Sequence, residues 1–260
     1  MVLNNNLTGQ PPIRIWGLSD FHLSFGSMPA EMAFISPSNE PPWLKNARKI
    51  SQAWSETVKR NDIVVLPGDI SAAKSHASVQ RDLAWLSKRA GAAHVLSPGN
   101  HDHWFGRMSG VQRILRPNQF AIDGNAIDLG RVIIAGARSQ PTPDDPTNIQ
   151  LEIDSKAKQS IEKLKRSLDQ AKALQPMDGP PKPILVLWHH PPFDRWGRPD
   201  NVVELMSQAG VSVCVFGHIH TQAQWQSVPQ GTIQGIKFAC VAADSAGFRP
   251  RLIWEIPSTV

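Results

Sequence analysis

Five times along this chain, a short apolar run of the kind that favours β-strands gives way to a polar turn carrying Asp, Asn or His beside Gly or Pro. Residues 13–18 (IRIWGL) lead into Ser19-Asp20-Phe21-His22, and 62–66 (DIVVL) into Pro67-Gly68-Asp69. Residues 94–96 lead into Ser97-Pro98-Gly99-Asn100-His101-Asp102-His103, 184–188 (ILVLW) into His189-His190-Pro191-Pro192, and 211–216 (VSVCVF) into Gly217-His218-Ile219-His220. Ligand and catalytic groups collect at the C-terminal ends of strands in α/β sheets. The repetition therefore constrains both the fold and where its chemistry lies.

Between these strands the period changes to that of helices. Residues 43–60 put Ala47, Ile50, Trp54 and Val58 on one stripe, and 78–89 do the same with Val79, Leu83 and Leu86 before Gly91. The longest helix is expected at 152–174, with Ile153, Ala157, Ile161, Leu164, Leu168 and Ala171 on one face. Glu152 with Lys156 and Glu162 with Arg166 stand four residues apart as supporting pairs. A further helix spans 202–209 after the Pro-rich linker 176–183.

Residues 111–136 read as a short helix followed by strands near 120–123 and 131–136, an arrangement compatible with a meander. The last strands are 236–242 and 251–256, joined by a loop with Asp244, Ser245 and Arg249. Strand and helix alternate early, and strands follow one another later. That mixture predicts an α/β protein with two sheets packed face to face and helices outside, rather than one doubly wound sheet. The chain reads as a single domain over 1–260 with its core at 13–256, and the loops 24–42 and 138–148 form the rim of the site. In the first of these loops Phe25, Met28, Met32 and Phe34 interrupt a Gly, Ser, Pro and Asn background.

The composition is ordinarily globular, 41% hydrophobic and 19% charged, which argues against disorder. A net charge of +5 suits an anionic substrate, but the cations form no block, so nucleic acid is not indicated as a partner. The start of the chain has neither a basic nor an apolar signal region, and no run is long enough to span a membrane. A cytoplasmic protein is expected, which makes the Asn6-Leu7-Thr8 glycosylation match a chance one. Cys214 and Cys240 each sit in an apolar run and read as buried thiols, with a disulfide between neighbouring strands as the alternative.

The strand ends hold imidazole, carboxylate and amide oxygen but no thiolate, a donor set for Zn, Mn, Fe or Ni. In an extended segment residues two apart point the same way, so Asp20 with His22, and His218 with His220, can each offer both side chains to one ion. Asp20, His22, Asp69, Asn100, His189, His218 and His220 are too many ligands for one tetrahedral ion and match two metals sharing a carboxylate. A single such pair is more often a turn or a solvated histidine; five together at strand ends are not explained that way. His76 and His94 lack such company and read as surface or strand-edge residues, whereas Trp104 and Trp196 follow site loops and are candidates to line a pocket. His103 and His190 adjoin the ligand candidates, and Arg138, Arg195 and Arg249 lie in loops from which an arginine could grip phosphate.

The order D-x-H, G-D, G-N-H-D, H-x-P, G-H-x-H resembles that of the calcineurin-like metallophosphoesterase superfamily, and each of its motifs has a match in residues 13–220. SDFHLSFG, LPGDIS and GNHDHW are similar to a group of bacterial predicted phosphohydrolases, a likeness that names no substrate. The resemblance implies a four-layered α/β/β/α sandwich and a binuclear site. In that site Asp20, His22 and His220 hold one divalent ion, Asn100, His189 and His218 the other, and Asp69 bridges them. The H-x-P spacing makes His189 the ligand rather than His190.

On the same carry-over His101 assists the leaving group, with Asp102 behind it. The expected activity is hydrolysis of a small phosphoester by in-line attack of hydroxide held between ions about 3.5–4 Å apart. The alternatives are a phosphodiesterase acting on nucleic acid or cyclic nucleotides, and a non-catalytic binding module of the same fold. The oligomeric state is not legible.

Overall fold

The computed structural model describes residues 11–27, 41–140, 150–194 and 196–258, with the side chains of 150–154 excepted. Within them two sheets carry the fold. The first has the order β11-β1-β2-β3-β4, built from β1 (Ile13–Gly17), β2 (Ile63–Pro67), β3 (Ala93–Ser97), β4 (Gln119–Ala121) and β11 (Arg251–Ile256). The second has the order β5-β6-β7-β8-β10-β9. Its strands are β5 (Asn125–Asp128), β6 (Ile133–Gly136), β7 (Ile184–Leu187), β8 (Val211–Phe216), β9 (Gly231–Ile233) and β10 (Ile236–Cys240). Both are mixed: β1 to β4 run parallel with β11 antiparallel at the edge, and β6, β7, β8 and β10 run parallel between antiparallel β5 and β9.

Strands buried on both faces read as continuous apolar runs, and β2, β3, β6 and β7 are buried at every position. Three apolar clusters follow from this. One lies between the sheets, with Ile15, Val65 and Val95 from the first and Ile134, Leu187 and Val215 from the second. The outer face of the first sheet packs on α1 (Pro42–Thr57), α2 (His76–Ser87) and α3 (Met108–Ile114) through Ile50, Trp54, Leu83, Leu86 and Val111. The outer face of the second packs on α4 (Gln150–Ala173) and α5 (Asn201–Gln208) through Leu164, Leu168, Val203 and Met206. Four layers result, α/β/β/α, as expected.

The strands at 120–123 and 131–136 do not form a meander, because they lie in different sheets. β4 adds to β3, and the chain then crosses to the second sheet, where β5 and β6 make the hairpin. Gly124 (φ 85°) makes the crossing, its N–H donating to the Gly136 carbonyl at 2.9 Å. β5 lacks a sequence signal and is held by α4, where Ser167 Oγ donates to the Asn125 carbonyl and Gln170 accepts from the Ala126 N–H. On that helix Glu162 pairs with Lys165 at 2.8 Å, one residue short of the expected Arg166. β9 and the short α6 (Gln222–Ser227) were not anticipated either.

Cys214 and Cys240 are free buried thiols on adjacent strands, in register with Phe238 and Phe216 respectively, and burial pushes the Cys240 thiol up to about 12. His94 is a core residue rather than a surface one. Its ring is fully buried, edge-on to Trp54 and bonded to the Ala90 carbonyl, and burial lowers its pKa.

Candidate metal centre

All the parallel strands that matter end on one side of the molecule. β1, β2 and β3 of the first sheet release Asp20 and His22, Asp69, and Asn100 to His103, while β7 and β8 of the second release His189 and His190, and His218 and His220. The loops after β1 and β2 are zipped together, the N–H groups of Asp20, His22 and Leu23 donating to the carbonyls of Gly68, Asp69 and Ile70. Pro67's carbonyl joins the sheets by accepting from His189 Nδ1 at 2.8 Å.

Backbone strain is concentrated at the same loops. Six non-glycine residues have positive φ among the described residues, and four are Asp20, His22, Asp69 and His218. Such conformations persist where surrounding contacts impose them, and they cluster at functional sites. The motif glycines have a steric reason: a Cβ on Gly99 would stand 2.1 Å from Asp69 Oδ1, and one on Gly217 would stand 2.4 Å from Asp20 Oδ2. Only a residue without a side chain lets these loops approach their carboxylates.

Two groups of ligating atoms result, Asp20 with His22 and His220, and Asp69 with His189 and His218; within each, the atoms lie within 4.8 Å of one another. Asn100 joins the second, its Oδ1 being 3.0 Å from His189 Nε2. Asp69 faces both groups, since its Oδ2 is 3.4 Å from His189 Nε2 and 3.9 Å from His22 Nε2.

The donor chemistry of the second group calls for a cation. His189 gives its Nδ1 proton to a carbonyl that can only accept, so in the neutral ring Nε2 is a bare lone pair. That lone pair, Asn100 Oδ1 and Asp69 Oδ2 face one another, and buried Asp69 Oδ2 and His218 Nδ1 have no hydrogen-bond partner. Buried polar atoms are rarely left so. The titration behaviour says the same. Burial alone would push Asp69 up, but the positive charge of His189, 3.4 Å from Oδ2, holds it well below the usual carboxylate range. Burial would likewise lower His189, yet Asp69 and Asp20 raise it to about 9. Without a metal, a proton takes the position where positive charge is needed. Burial and the His189 charge push His218 the other way, to about 4, keeping it a neutral ligand.

The model of the calcineurin-like phosphoesterases matches residues 13–222. The chain belongs to that family. A stretch of 88 residues is 27% identical to the Gene 66 protein of Mycobacterium phage D29, covering 34% of this chain and 40% of that protein. A crystal structure of a protein of unknown function from Aquifex aeolicus overlaps 92% of this chain and 94% of its own, with a TM-score of 0.41 and 11% identity.

The family's remaining motif positions separate into exposed and buried. His101 is exposed, its ring 5.4 Å from that of His22, and its N–H donates to Asp69 Oδ1. Asp102 is fully buried and accepts from the N–H groups of Ile70, Ser71 and Gly99 and from Trp104 Nε1. It ties the Asp69 loop to the Asn100 loop. Trp104 is buried in the apolar cluster on the outer face of the first sheet, whereas Trp196 is 63% exposed.

His190 lies behind the ligands, its ring 4.2 Å from that of His218. Ser139 takes its N–H and faces its Nδ1, and burial first, then neighbouring positive charge, pushes it to about 2. Arg138 spends its guanidinium on the carbonyls of Gly99, Asp102 and Phe105, and Arg249 pairs with Glu56; neither is directed at the ligand groups. His103 is exposed on the same loop, and Arg195 and residues 28–40 and 141–148 of the two rim loops lie outside the described residues. The sequence reading puts Asp244 in the loop between the last two strands but not at the site, where it meets His220 Nδ1 at 2.9 Å. The available signal was a sixth apolar run, 236–242, with a carboxylate two residues beyond.

Proposed function

We infer that this chain is a binuclear metal-dependent phosphohydrolase acting on a small phosphoester. The observation that carries the reading is the set of acceptor atoms converging on one buried point, where only positive charge fits: His189 Nε2, Asn100 Oδ1 and Asp69 Oδ2, with His218 Nδ1 beside them. In this reading Asp20, His22 and His220 hold one divalent ion and Asn100, His189 and His218 the other, with Asp69 shared. Two such ions supply Lewis acidity, lowering the pKa of water and neutralising phosphoryl oxygens.

The protein's own groups do the rest. Strained loops fix the ligands before any substrate arrives, so little reorganisation is needed during reaction. Exposed His101, carried next to Asp69 by its own N–H, is the group placed to give a proton to the departing ester oxygen. Asp102 and Arg138 act on the backbone of that loop, holding His101 at its post. No helix among the described residues is long and apolar enough to cross a membrane, and the free buried thiols support placing the protein in the cytoplasm.

The test is hydrolysis of paired chromogenic phosphate monoesters and diesters by metal-stripped protein, with Mn, Fe, Zn, Ni or Mg restored singly. Turnover that returns with metal supports the reading and names the ester class. Two bound ions with no turnover on either ester would favour a binding module.

A further inference from the structure

We propose that Asp244 is a positioning residue: its carboxylate fixes His220 as the Nδ1–H tautomer and so sets how tightly the Asp20, His22 and His220 group holds its ion. The inference rests on the metal-site reading above and adds a residue outside the family's motifs.

The contact is specific. Asp244 Oδ2 lies 2.9 Å from His220 Nδ1, while His220 Nε2 points inward, 4.0 Å from Asp20 Oδ1. A carboxylate accepts only, so the shared proton sits on Nδ1 and leaves the Nε2 lone pair facing Asp20. The loop bearing Asp244 is tied to the site by backbone. Ser19 N–H donates to the Val241 carbonyl, Ala243 N–H to the Ser19 carbonyl, and Phe248 N–H closes back on Ala243 at 2.8 Å. Ser19 immediately precedes Asp20, so one backbone ladder carries both the ligand and the residue that orients its partner.

The need is particular to this group. His189 is oriented by a backbone carbonyl and is fully buried, so its ring has nowhere to turn. His220 has a side chain 43% exposed and belongs to the loop opening onto solvent. An exposed imidazole without a partner exchanges between tautomers and rotamers, and only one combination aims a lone pair at the ion. Groups of this kind behind a metal-binding histidine are worth about 10- to 100-fold in metal affinity.

The experiment titrates Mn²⁺ into the metal-stripped chain of residues 1–260 by calorimetry, comparing wild type with Asp244→Ala and Asp244→Asn. Asp244→Ala should weaken one of two ions by about 10- to 100-fold and leave the other unchanged. Asp244→Asn keeps an oxygen acceptor for the Nδ1 proton and should recover part of the loss. Nitrogen NMR of the metal-free protein provides a readout without metal, with His220 as Nδ1–H in wild type and Asp244→Asn, and mixed in Asp244→Ala. Wild-type affinity for both ions in Asp244→Ala, equal weakening of both, or an Nε2–H tautomer in wild type would each overturn the proposal. Wild type that takes up no Mn²⁺ would overturn the metal reading itself, and the NMR arm would still test the Asp244 contact.

Discussion

The two ligand groups are built from the same residue types and held in opposite ways. Asp69, His189 and His218 sit deep in the seam between the sheets, and His189 and Asp69 are fully buried. Asp20, His22 and His220 sit at its mouth, where His22 and His220 have side chains 32% and 43% exposed. In the buried group packing orients the rings, and the cost of unshared lone pairs makes a cation necessary. In the open group water can reach both histidines while Asp20 stays buried, and order comes from hydrogen bonds to Ser19 and Asp244. Burial thus substitutes for explicit orientation, and the exposed half has to supply orientation with side chains.

The sharpest way to break this contrast is to remove the residue common to both halves. Asp69→Asn should abolish turnover and lower metal content from two ions toward none, measured by elemental analysis beside the assay; retention of both ions would show that the groups do not share this carboxylate. Next comes His101→Ala, which should lower kcat by about a hundred- to ten-thousandfold on a substrate with a poor leaving group, with metal content unchanged. Full turnover in that variant would remove His101 from the proton-transfer role.

Glycine substitutions address the halves separately. Gly99→Ala presses on Asp69 in the buried half, and Gly217→Ala on Asp20 and Ser19 in the open half. Overpacking of this kind costs about 1–3 kcal/mol, read as denaturant midpoints. The loss should be greater for Gly99, whose added Cβ would meet the Asp69 backbone nitrogen as well as its carboxylate, whereas that of Gly217 would meet only side-chain atoms; equal losses would mean that the Ser19 and Asp20 side chains are held as firmly as backbone.

The smallest effect is on the metal-free protein's stability against pH. His189, raised to about 9, contributes stability that is present below about 6.5 and is lost as pH climbs toward 9. His218, lowered to about 4, contributes stability that is present above about 6.5 and is lost as pH falls toward 4. The metal-free midpoint should therefore peak near pH 6.5, and adding metal should flatten the alkaline side, because an ion then occupies the position of the His189 proton. A flat metal-free profile would contradict the charge arrangement of the buried half.

Much of this was legible in the chain because strand ends announce themselves. β8 and β11 lie at 211–216 and 251–256, where the apolar runs place them, and α1 falls within three residues of its expected ends. All seven ligand candidates come together, since an apolar run followed by Asp or His is a local pattern. β5 and β9 were invisible because short edge strands owe their pairing to neighbours and α4, not to their own residues. Arg138 was misjudged for a related reason: from sequence an Arg in a site loop looks available, and only contacts show it already bonded to backbone.

By itself, then, the order of residues determined the α/β class, the paired sheets and the chemistry of the donors, because alternation, apolar runs and turn residues act over a few positions. Tertiary structure alone decided which ligand group is buried and which is open, that Asp69 faces both, and that Asp244 stands behind His220. The first two depend on loops from two sheets, more than a hundred residues apart in sequence, meeting at one end of the sandwich, and the third on β10 lying beside β8. No local pattern encodes that distance; the packing of β2 against β7 does.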